Sequence, residues 1–64
     1  MIINGEKTDL PTGISITELL RQLNLDRDKI VIEVNCELIS KDQYASVLLK
    51  QDDQVEIISF VGGG

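Results

Sequence analysis

The spacing of apolar residues changes character several times along this chain, and each change predicts a different element. Ile2 and Ile3 open it and are followed at once by Asn4-Gly5. Asn-Gly is the preferred pair for a two-residue type I′ turn, because both positions need positive φ. A β-hairpin is therefore expected. Its returning arm, Glu6 to Leu10, is polar apart from Leu10 and suits a sheet edge. Pro11 ends that arm, since proline has no N–H to give a ladder.

In "GISITELLRQLNL" the period lengthens. Ile16, Leu19, Leu20 and Leu23 recur at i, i+3, i+4 and i+7, which places them on one stripe of a helix. Ser15 and Glu18 read as a capping box, with Ile14 and Leu19 set as a hydrophobic staple around it. Asn24 tolerates the left-handed conformation that closes helices. A helix from about Ile16 to Leu23 is predicted, too short to be stable unless its stripe packs on a sheet.

After a charged connector, "DRDK", the period drops to two. In "IVIEVN", Ile30, Ile32 and Val34 share one face and Val31 and Glu33 the other. "NCE" reads as a tight turn and Leu38-Ile39 as a short strand. "SKDQYASVLLKQDD" has no clear period; one helical turn near Asp42 to Ala45 after a capping Ser40 is expected. From it Tyr44, Val47 and Leu48 or Leu49 would plug the open end of the core. Asp52-Asp53 reads as a turn, and "QVEIISF" as the last strand. There Val55 and Ile57 fall on one face, with Glu56, Ile58 and Phe60 on the other.

Two hairpin strands, a crossover helix and a strand parallel to the first would leave the final strand central, beside the first. The expected class is α+β: a ubiquitin-like β-grasp, with one main helix packed on one face of a mixed sheet of four to five strands. Residues 1–61 would form this domain and 62–64 a flexible glycine tail.

Composition narrows what such a domain can do. Sixty-four residues allow one small core and no separate catalytic apparatus. With one cysteine, Cys36, and no histidine, an internal disulfide is impossible and Ser-His-Asp or Cys-His catalysis cannot be assembled. Cys36 lies between Asn35 and Glu37, and a thiolate is not favoured beside a carboxylate. It reads as a small turn residue. A formal net charge of −5 repels phosphate backbones and anionic lipid, so neither nucleic acid nor membrane is an expected partner. The opening residues lack the basic-then-apolar order of a secretory leader, and a cytoplasmic protein is expected. Asp26, Asp28, Asp52 and Asp53 lie in expected turns, where solvated carboxylates are the rule. The chain is expected to carry no catalytic residues, bind no metal and hold no cofactor.

The sequence closes on Phe60-Val61-Gly62-Gly63-Gly64. Glycine loses the most backbone entropy on ordering, so this run is poorly suited to holding a fold together. Without Cβ atoms it is the narrowest peptide available, and Gly62 and Gly63 could thread a tunnel closed to side chains. Four residues from Val61 extend roughly 13 Å, enough to carry the Gly64 carboxylate into another protein's active site. A carboxylate is a poor electrophile and needs activation there. Ile58, Phe60 and Val61, beside the tail, form a candidate docking surface. The alternatives are that the loop from Ser40 to Lys50 covers them and that the glycines are only a frayed end.

The "NG" hairpin, "ITELLRQL", "VIEVN" and "DDQVEIISFVGGG" together resemble the ThiS family, the ubiquitin-like sulfur carriers of thiamin biosynthesis, over essentially the whole chain. The resemblance implies that a ubiquitin-activating-like adenylyltransferase, using ATP, converts the Gly64 carboxylate to an acyl-adenylate. Sulfur from a donor such as a cysteine desulfurase would then leave a thiocarboxylate, and thiazole synthase would accept that sulfur. Cys36 belongs to no motif of this family. The alternatives are a carrier for another pathway, such as the molybdopterin synthase small subunit or a tRNA-thiolation carrier, a lysine-conjugated protein modifier, and a passive binding domain.

Overall fold

A computed structural model describes residues 1–60. A five-stranded sheet in the order β2-β1-β5-β3-β4 is covered on one face by a single helix, α1. The strands are β1 (Ile2–Ile3), β2 (Glu6–Lys7), β3 (Ile30–Val34), β4 (Glu37–Ile39) and β5 (Gln54–Ser59); α1 spans Ile16–Gln22. This is the expected β-grasp.

The strand directions need one correction. β5 runs parallel to β1 and antiparallel to β3, so β3 is antiparallel to β1 rather than parallel to it. The cause lies in the first hairpin. β2 has already reversed the chain before the crossover begins, so the helix returns a strand parallel to β2. β5 does take the central place beside β1.

The β1–β2 turn has Asn4 at φ 51° and Gly5 at φ 82°, as a type I′ turn requires. Asn4 also extends the ladder. Its N–H donates to the Val55 carbonyl at 2.9 Å, and its Oδ1 accepts from the Ile57 N–H at 2.8 Å. Because β1 is only two residues long, the carboxamide supplies the next rung to β5. Asn4→Ala is expected to cost about 1–2 kcal/mol by straining the turn and leaving the Ile57 N–H without its protein partner. A denaturation midpoint checks the cost, and faster amide exchange at Ile57 assigns it to the lost rung.

At its N-terminus α1 forms half of the predicted capping box. Ser15 Oγ accepts from the Glu18 N–H at 3.1 Å, whereas the Glu18 carboxylate turns to Arg21 Nη1 at 3.0 Å. The Ile16 and Thr17 N–H groups donate instead to the Val47 and Tyr44 carbonyls. The segment after β4 is thus strapped to the helix start, and the Gly13–Leu49 and Leu49–Ile14 backbone bonds continue the strap. At the other end Asn24 adopts φ 58°, the Leu25 N–H reaches the Leu20 carbonyl and the Asn24 N–H reaches that of Arg21. These are the two bonds of a Schellman cap.

The charged connector becomes a 3₁₀ turn, Arg27–Lys29, capped by Asp26 Oδ1 on the Asp28 N–H. The turn after β4 is also 3₁₀, Lys41–Gln43, one residue earlier than expected, and Ser40 makes no side-chain cap to its backbone. The core joins Ile16, Leu19 and Leu20 of α1 to Ile3, Ile30, Ile32 and Val55 of the sheet, and Met1, Tyr44 and Leu49 close it. Leu49 is therefore the plug residue, while Leu48 faces out. Burial raises the Tyr44 hydroxyl above its ordinary pKa, opposed by a hydrogen bond with the Ile32 backbone and by Arg27.

The β3–β4 turn is a second type I′ turn. Asn35 and Cys36 adopt φ 53° and 69°, and Cys36 stands where glycine fits best. Asn35 Oδ1 accepts from the Gln54 N–H, and its Nδ2 donates to Asp53 Oδ1, which ties this turn to the start of β5. Cys36→Gly is expected to stabilise the fold by about 0.5–1 kcal/mol, a rise of roughly 3–6 °C in melting temperature, because relieved strain exceeds the added unfolded-state freedom. A thermal melt under reducing conditions measures it.

Candidate functional site

β5 crosses the centre of the sheet and delivers the chain to the tail, so its two faces have different fates. Val55 is buried beneath α1 and Ile57 half-buried on the same side. Ile58 and Phe60 lie on the opposite side, 44% and 57% exposed. The Ser40–Lys50 loop does not cover them, although Lys41 places its Nζ 5.6 Å from the centre of the Phe60 ring. Phe60 is itself anchored, its N–H donating to the Lys29 carbonyl at 3.2 Å. The sheet's pairing is thus carried one residue past β5, to the threshold of the tail.

Pairing register fills in the rest of this face. Val31 stands opposite Ile58, Glu33 opposite Glu56, and Leu38 of β4 opposite Glu33. Leu38 is 64% exposed. Val31, Ile58 and Leu38 therefore flank two acidic positions on β3 and β5. Neither Leu38 nor the two glutamates figure in the expected docking set, because pairing across three strands brings them together and no local motif marks it.

The expected docking residues Ile58 and Phe60 meet on this face. Val61, and the tail residues Gly62, Gly63 and Gly64, lie outside the described residues. Cys36 is exposed in its turn. The turn carboxylates have structural work: Asp53 Oδ2 accepts from the Lys50 N–H at 2.7 Å, and Asp26 caps the 3₁₀ turn. Among the described residues no group of three or more His, Cys, Asp or Glu side chains is placed to hold a metal ion. Among the described residues no helix is long and apolar enough to cross a membrane.

A family model described as "ThiS family" matches residues 1–64. The chain belongs to the ThiS family. The sulfur carrier protein ThiS of Bacillus subtilis is 40% identical to this ThiS-family chain, over 97% of this chain and 96% of the relative. A thiazole synthase of Paramagnetospirillum magneticum is 36% identical over the full chain, which spans only 20% of that larger protein. The fold agrees. The crystal structure of the thiamine biosynthesis protein ThiS from Geobacter metallireducens superposes with a TM-score of 0.80 at 29% identity, covering 98% of this chain and 96% of that one.

Proposed function

We propose that this ThiS-family chain carries sulfur on the carboxylate of Gly64 and hands it to thiazole synthase. As a family member it is a sulfur carrier protein of thiamin biosynthesis, and the end-to-end likeness to the Bacillus carrier is the observation that carries the reading. The chemistry follows from the carboxylate. A ubiquitin-activating-like adenylyltransferase transfers AMP from ATP to Gly64, releasing pyrophosphate. The persulfide sulfur of a donor such as a cysteine desulfurase attacks the acyl carbon and AMP leaves. A thiol reduces the resulting acyl disulfide, and the thiocarboxylate remains.

In this reading residues 1–61 are the body and 62–64 the slender arm. Gly62 and Gly63 thread the partner's tunnel, while Ile58, Phe60 and Val61 hold the body at its mouth. The chain acts as a covalently modified co-substrate in the cytoplasm and supplies no catalytic residue. The likeness to one segment of larger thiazole synthases supports thiazole synthase as acceptor, since a carrier and its acceptor profit from being joined in one chain. Intact-protein mass spectrometry after incubation with the adenylyltransferase, ATP and a sulfur donor tests the proposal. One oxygen replaced by sulfur at Gly64 is expected; an unchanged mass with a demonstrably active enzyme defeats it.

A further inference from the structure

The outer sheet face carries an arrangement that costs stability. Antiparallel pairing of β3 with β5 sets Glu33 directly across from Glu56, and like charges in that position destabilise a sheet. Neither carboxylate makes an ion pair or side-chain hydrogen bond with another described residue. Arg21, Arg27 and Lys41 are engaged elsewhere, with Glu18 and Asp28. Charge that served only solubility would not need to be paired across a ladder. Here it sits beside Val31 and Ile58 on one flank and Leu38 on another, at the edge of the apolar surface that runs along β5 to Phe60.

From this juxtaposition we infer that the Glu33–Glu56 pair is the seat for an arginine side chain of thiazole synthase, the proposed acceptor. The inference rests on the carrier reading and adds the chemistry of the partner's surface. A guanidinium is planar, carries five N–H donors and can bridge two carboxylates with charge-assisted bonds. Its aliphatic stem and weakly hydrated faces pack on exposed apolar side chains such as Leu38 and Ile58. A second copy of this chain fits poorly. A two-fold contact through this face would bring four carboxylates together on a protein of net charge −5. A basic partner instead relieves the Glu33–Glu56 repulsion, so part of the strain within the free protein is released on binding.

The test uses the full chain, its Glu33→Gln and Glu56→Gln variants and the double variant, with thiazole synthase from the same organism. Melting of the free proteins and calorimetric binding at low and high salt are read together. The glutamine variants should melt at or above the wild-type temperature yet bind about tenfold or more weakly each, with a shallower salt dependence. A merely structural role cannot move stability and affinity in opposite directions. Equal affinity of wild type and double variant overturns the arginine seat and leaves the carrier reading standing. A wild type that shows neither binding nor sulfur at Gly64 overturns both. Wild-type dimers in sedimentation that the double variant changes assign the face to a second copy and overturn the proposal. Calcium or magnesium raising the wild-type melting temperature but not the double variant's assigns the pair to a metal, with the same consequence.

Discussion

Removing Gly63 and Gly64 leaves a protein that melts with the full chain's midpoint and accepts no sulfur. The two halves of this expectation have separate causes. Among the described residues the buried core lies between Met1 and Val55 and the sheet contacts end at the Phe60–Lys29 bond, so shortening the chain at residue 62 removes none of the described packing. Transfer is lost completely because it is positional. Fully extended, the four residues after Phe60 would span roughly 13 Å, and removing two of them takes away about half of that reach. In the proposed mechanism a carboxylate held several ångströms short of the activating enzyme's ATP would form no adenylate, whatever the affinity of the body. On the proposed threading, adding one residue with a side chain beyond Gly64 is expected to give the same loss with the reach preserved, since that side chain would have to enter a passage fitted to glycine. Mass spectrometry on both variants, beside growth without thiamin, provides the readout. Sulfur on the shortened protein, or growth supported by an uncleaved extension, is the contrary result.

How much of this could be read before the structure depended on whether the determining contacts were local. The Asn4-Gly5 turn, the Ser15 cap, the stripe through Ile16, Leu19 and Leu20, and the Asn24 closure are all encoded within one or two turns of chain, and all form. The alternation along β5 likewise marked Ile58 and Phe60 as facing away from Val55. The Asn35-Cys36 turn was harder to type, because cysteine occupies a position where glycine is the usual signal. The stretch from Ser40 to Asp53 shows no period because its backbone groups bond within short turns and to residues 13–17 at the start of α1, not along a regular ladder. Glu18 left the capping box because Arg21, one turn on, offered its carboxylate an ion pair. The Glu33–Glu56 pair is the furthest from local. It exists only once β3 and β5, with residues 35–53 between them in the chain, have chosen their register.

The small size of the folded body leads to a second large effect: Leu19→Ala is expected to leave the domain substantially unfolded at 37 °C. Leu19 is fully buried beneath α1, within the cluster that includes Ile16, Ile32, Tyr44 and Val55. It is also N4 of the helix, the position that completes the staple with Ile14. Leucine to alanine in such a site costs about 2–5 kcal/mol through lost transfer energy and the cavity left behind. A core of this size supplies only about 3–5 kcal/mol in total, with no disulfide in reserve. The helix has seven residues and cannot persist without the packing of its stripe. Its loss also frees the strap formed by the Tyr44 and Val47 carbonyls, so local failure spreads to the core's open end. Circular dichroism should show a folded wild type and, for the variant, a midpoint at or below physiological temperature. Leu23→Ala on the same helix removes a side chain that is already 36% exposed and is expected to cost no more than about 1 kcal/mol. Similar melting curves for the two variants would mean that α1 does not hold the core closed, and the body would then need another explanation for presenting β5 as a rigid platform.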